Sequence, residues 1–288
     1  MSERLRLTER EIDFYKPLIA LYLKYGSVDQ VFASKYHNTG VSYPHFHRVL
    51  NDWGIIKSTG PQSHFTEAIF FLTTLAMERL PLESLYRTMP PSLQISAATL
   101  HRILSYIKRG LTRRHGTALL VSPESDPNSI LIGRDISTPR PELGKPYGSL
   151  SLPMTYAKRT ESGKESVLRT LQQEVAASLT VNRYLSPKII PDNPKVLLTI
   201  NIADVRVKVY KVIVPDTLIP QLDSFKLSDL NLVPIEQVAA SVDLDSHYRA
   251  GVSEIASGFL ETRAIQPPFT PHFGSLLNQS LATLPTIG

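Results

Sequence analysis

The stretch Glu161–Leu179, ESGKESVLRTLQQEVAASL, decides how the second half of this 288-residue chain folds. Val167, Leu168, Leu171 and Val175 recur at the three- and four-residue spacing that puts them on one side of an α-helix, with Lys164, Glu165, Gln172 and Gln173 directed away from it. On both sides the period changes to that of strands. Upstream, TALLVSPESDPNSILIGRD (Thr117–Asp135) reads as a hairpin, two apolar runs about a Pro/Asp/Asn/Ser turn. Downstream, VLLTINIADVRVKVYKVIVPD (Val196–Asp216) has the alternating β-branched residues of strands, and SHYRAGVSEIASGFLE (Ser246–Glu261) closes with a second helix. The expected order is β, β, α, β, β, α.

This helix and its approach resemble the Nudix hydrolases. The signature of that family, G-x5-E-x7-R-E-Φ-x-E-E-x-G-Φ, forms a loop, helix and loop that hold magnesium against a diphosphate. Laid on this chain, Glu161 takes the first Glu place and Arg169 the Arg place, while Leu171 and Glu174 match. Thr155 stands where the first Gly should be, Thr170 and Gln173 replace two of the three clustered Glu, and Ala176 replaces the last Gly. The later SFKLSDLNLVPIEQVA (Ser224–Ala239) is similar to the family's late strand leading into a helix. The resemblance implies an α/β/α sandwich with a mixed sheet over residues 117–262. It also implies that Glu161 and Arg169 brace the loop against the helix.

The losses have a physical meaning. Positions 170, 173 and 174 share one helical face, which is how three carboxylates converge on a metal. Magnesium needs hard anionic oxygen, and a lone Glu beside a neutral Thr and a neutral Gln should hold it weakly. Without it, the charge that develops as a diphosphate is cleaved is not stabilised. The expectation is a pseudoenzyme: no metal site, no catalytic residue and no cofactor. Magnesium enters only under the alternative, a divergent Nudix hydrolase acting on a nucleoside diphosphate derivative, in which Glu165, Asp192 or Asp204 replaces the missing ligands; each reads more simply as a solvated surface acid.

The first half has a different organisation. Phe14–Leu50 lies without a gap over Ala68–Leu104, with Leu18 on Leu72, Leu21 on Leu75, Val28 on Leu82, Val31 on Leu85 and Phe46 on Leu100. Each copy reads as a long apolar helix, a short helix, a turn, and a third helix whose N-cap is Ser42 or Ser96. This pattern resembles the helix-turn-helix family of DNA-binding domains, whose third helix lies in the major groove. In the first copy Val41, Phe46 and Leu50 are assigned to the core, with Ser42, Tyr43, His45, His47 and Arg48 toward double-stranded DNA. The second offers Thr99, His101 and Arg102 and runs into KRGLTRRHG, where Lys108, Arg109, Arg113 and Arg114 suit phosphates. A structural alternative pairs Arg48 with Asp29 and Arg102 with Glu83. Trp53, among Leu50, Ile55 and Ile56, is read as an anchor between the copies.

The charge divides along the same line. Residues 1–116 hold 15 Lys and Arg against 9 Asp and Glu, and the remainder hold 16 against 17. A basic half beside a neutral one suits one polyanion-binding part. Six of the eight histidines lie in the basic half, which raises its potential as pH falls through about 6.5. There is no cysteine, hence no disulfide or thiolate chemistry, which fits the cytoplasm. The longest apolar run, Ala68–Met77, is about half of the roughly 20 residues that span a bilayer, so no membrane anchor is expected. The expected units are a helix-turn-helix copy at 1–60, a second with its basic linker at 61–116, the Nudix-like domain at 117–262 and a Pro/Ser/Thr-rich tail at 263–288. Together they suggest a transcriptional regulator whose Nudix-like domain senses a nucleotide-type small molecule or builds a homodimer interface. In the alternative hydrolase the helical domains recruit partners; a third possibility is a structural adaptor.

Overall fold

The computed structural model describes residues 7–34, 40–57, 105, 108–110, 112, 114–139, 144–241 and 247–283. The second helical copy, with Thr99, His101 and Arg102, and the linker residue Arg113 lie outside these residues.

Three helices form the described N-terminal part. Helix α1, Glu9–Tyr25, starts at a Thr8 capping box and stops at Gly26, whose φ of 72° is the left-handed cap that glycine adopts without strain. After α2, Val28–Ser34, helix α3 spans Tyr43–Asp52 with Ser42 as its N-cap, accepting from the His45 amide. Ile19, Leu23, Phe46 and Leu50 are sealed in the core between them. Tyr43 Oη donates to Asp29 at 3.0 Å, tying α3 to α2.

The C-terminal part is mixed α/β. Its strands are β1 (Arg114–Pro123), β2 (Ser129–Asp135), β3 (Leu150–Ser151), β4 (Met154–Ala157), β5 (Leu198–Ile202), β6 (Val205–Val214), β7 (Leu227–Pro234) and β8 (His272–Gly274). Five form a mixed sheet in the order β4-β1-β6-β5-β8, and three form a second sheet, β3-β2-β7. Helices α4 (Gly163–Glu174) and α5 (Ala177–Val181) follow β4; α6 (Ile235–Ala239), α7 (Val252–Ile265) and α8 (Leu276–Thr283) come last. Val167 and Leu171 of α4 pack on Leu119, Val121, Tyr210 and Val212 at one face of the large sheet. Val252, Ile255 and Phe259 of α7 join Ala118, Leu120, Val207 and Val209 in another cluster.

Three expectations are corrected. β1 and β2 are not a hairpin: β1 pairs with β4 and β6, and β2 with β3 and β7. Both strands are almost wholly buried, so each takes hydrogen-bonding partners on either side instead of the other. The last helix of the sandwich begins at Val252, after Gly251, whose φ is 90° and whose missing Cβ would fall 2.2 Å from Ile202. The stretch from about Ile265, whose Pro, Ser and Thr content suggests a poorly ordered tail or a strap over a neighbour, carries regular structure among its described residues. β8 adds parallel to β5, and Leu277 and Leu281 of α8 are buried in the core, each contributing roughly 1.5–3 kcal/mol. Among the described residues no helix is long and apolar enough to cross a membrane.

Trp53, the C-cap of α3, joins the two parts of the chain. Its indole N–H donates to the carbonyls of Thr180 and Val181, at 3.2 and 3.3 Å, and Arg183 stacks over the ring at 5.4 Å. It therefore anchors the first helical copy to the α/β part; the anchor expected between the two copies falls partly on residues outside those described.

Candidate ligand cleft

Helix α4 begins with a Ser162–Glu165 capping box, which places the residues before it against its first two turns. There Glu161 and Arg169 form an ion pair whose side chains are 3% and 0% exposed. Arg169 Nε also donates to the Thr155 hydroxyl at 3.3 Å, and Thr155 meets the Thr170 hydroxyl at 2.7 Å. Thr170 in turn donates to the Ser166 carbonyl. The residues standing at the first Gly and first lost Glu places thus bond each other.

Gln172 and Gln173 do not face water as their amphipathic placement predicts; both are buried. Gln172 accepts from the Ile56 amide at 3.1 Å and donates to the Gly54 carbonyl at 2.9 Å, while Gln173 donates to the Ile56 carbonyl at 3.2 Å. This polar face of α4 is a joint with the segment after α3. Glutamine suits it because a neutral amide both donates and accepts, whereas a glutamate at 173 could not donate to a carbonyl.

Glu174 pairs with Lys226 Nζ at 2.8 Å. Burial pushes this carboxyl above the usual range, opposed by Lys226 and by Lys145. Nearby, Lys145 Nζ meets Asp135 at 3.2 Å and donates to Ser137 Oγ at 2.5 Å; Arg249 Nη1 stands 3.8 Å from Asp135. Burial, and then Arg249, bring the Lys145 ammonium down to about 8. These groups line a cleft of about 800 Å³ bounded on its other side by the end of α1 and by α2, including Tyr25 and Asp29.

The cleft does not suit a divalent cation. Its one surviving carboxylate from the signature already carries an ammonium, and the Thr170 and Gln173 groups are engaged in protein hydrogen bonds. The acids that could substitute are also occupied elsewhere. Glu165 caps α4, Asp192 pairs with Lys164 at 2.5 Å, and Asp204 pairs with Arg114. Asp204 is 1% exposed, so it is a buried partner and not a surface acid.

The expected DNA-facing residues divide. Ser42, Tyr43 and Arg48 are exposed on α3, and Arg48 has no ion pair with a described residue, Asp29 being bonded by Tyr43 instead. His45 turns inward, its Nε2 2.8 Å from Tyr15 Oη. His47 is half-buried beside Lys57 Nζ at 3.2 Å; burial and that charge lower its pKa, so it gains a proton only at lower pH than an ordinary histidine. Arg109 is exposed and Lys108 half-buried. Arg114 is not available to phosphates: it lies in β1, bonded to Asp204 and, at 3.1 Å, to Tyr156. Lys145, Lys226, Arg249 and Asp135 carry no motif or periodic signal. Separate segments bring them together.

No family model and no curated protein matches this chain. Among solved structures it is similar to a NUDIX hydrolase from Nitrosomonas europaea, at 12% identity and a TM-score of 0.34 over 56% of this chain and 78% of that one. A MutT protein from Methanosarcina mazei Go1 is 15% identical, with a TM-score of 0.35 over 54% and 96%. The NUDIX domain of Shewanella oneidensis NrtR, solved with ADP ribose, is 14% identical, with a TM-score of 0.35 over 59% and 99%.

Proposed function

We propose that this protein is a DNA-binding regulator whose α/β part is a Nudix-like scaffold that does not hydrolyse and instead binds a nucleotide-type small molecule. What supports it is the polar face of α4: Gln172 and Gln173 hold the helical part at Gly54 and Ile56, and Glu174 holds Lys226. A ligand in the cleft would touch α2 as well as the sheet, and α2 is bonded to α3 through Asp29 and Tyr43. The DNA contacts belong to Ser42, Tyr43 and Arg48, with Arg109 exposed for phosphate contact; the sequence adds Thr99, His101 and Arg102, which lie outside the described residues.

Two measurements test it. With ADP-ribose and magnesium or manganese, turnover is expected below about 0.1 per second, against an enzyme median of about 10 per second. Faster turnover that Glu174→Gln abolishes would make the protein a hydrolase. In a gel shift, binding to duplex DNA is expected to fall steeply with salt, and Arg48→Ala to weaken it by roughly 5- to 100-fold, the worth of one arginine contact to a base edge. Unchanged binding in that variant removes α3 from the DNA interface.

A further inference from the structure

We infer that the cleft takes a phosphorylated small molecule with a planar apolar part and does so without a divalent cation, the ammonium groups of Lys226 and Lys145 and the guanidinium of Arg249 supplying the positive charge. This rests on the ligand-binding reading above and specifies its chemistry. Three cations stand on the inner wall against two carboxylates, Asp135 and Glu174, so this wall keeps a positive surplus.

Arg249 lines the cleft with a side chain 17% exposed, and a phosphoryl oxygen accepts from a guanidinium. The other components fit the rest of such a molecule. Tyr25, Tyr156 and Phe225 offer flat apolar surface, and the volume lies within the roughly 300–1,000 Å³ of small-molecule sites.

Glu174→Gln separates an ammonium site from a metal site because the two respond with opposite sign. Gln keeps the shape and removes the negative charge that holds Lys226. If lysine binds the phosphate, affinity rises; if a metal does, one of its two wall carboxylates is gone, only Asp135 remains, and affinity falls. The test is calorimetric titration of the full chain with ADP and with inorganic pyrophosphate, in EDTA and then in magnesium chloride, with thermal melts to verify folding. ADP is expected to bind in EDTA, with magnesium changing Kd by less than about twofold. Glu174→Gln should tighten binding by roughly fivefold, and Lys226→Gln added to that variant should weaken it by at least about tenfold relative to Glu174→Gln alone. Binding that needs magnesium, or that Glu174→Gln abolishes, overturns the metal-free site and leaves ligand sensing intact. No binding of ADP, pyrophosphate or ADP-ribose under either condition removes both.

Discussion

Glu161→Ala is expected to lower the free energy of unfolding by roughly 3–5 kcal/mol, read from urea denaturation. The reason is the charge it strands. Arg169 is fully buried in α4, and burial brings its guanidinium down only to about 10, so at neutral pH it cannot escape the cost by losing a proton. Its Nη2 already lacks a partner, and without Glu161 the remaining side-chain bond is the one from Nε to Thr155. A double variant, Glu161→Leu with Arg169→Met, should recover most of the loss, because two apolar groups of similar size need no solvation. A single variant that costs under about 1 kcal/mol would mean that water reaches the guanidinium and that the pair is not the brace between loop and helix.

The second large effect is at Trp53. Trp53→Ala should cost roughly 3–5 kcal/mol, the usual penalty for deleting a buried indole. It should also loosen the helical part, seen as faster amide exchange across α1 and α3. Trp53→Phe keeps most of the apolar contact but leaves the Thr180 and Val181 carbonyls without the indole donor, which predicts a smaller loss of about 1 kcal/mol. Equal and small losses in both variants would show that the glutamine bonds alone hold the joint. The same variants should blunt any effect of a ligand on DNA affinity, since the joint is one of the links between cleft and helices.

Much of the local structure is legible in the residues. The spacing of Val167, Leu171 and Val175 specifies α4, and its boundary is written in Ser162 and Glu165, which cap one another. Ser42 caps α3 as its position suggests, and Phe46 and Leu50 face the core. The β5–β6 pairing follows from β-branched alternation on either side of Ala203 and Asp204. Each of these rests on interactions within a few residues, where chain geometry restricts the partners.

What the sequence by itself determined, then, is the helices α1, α3 and α4, the β5–β6 pair and the loss of acids at positions 170 and 173. Tertiary structure alone decided what replaced them. A glutamine on a helix reads as solvated until a distant backbone carbonyl is brought against it, and Gln172 and Gln173 find theirs at Gly54 and Ile56, more than a hundred positions away. The division of β1 and β2 between two sheets, the burial of Arg114 with Asp204, and the gathering of Lys145, Lys226 and Arg249 around one cleft have the same cause. Charge and hydrogen-bond partners are chosen by proximity after folding, and no periodicity along the chain records that proximity.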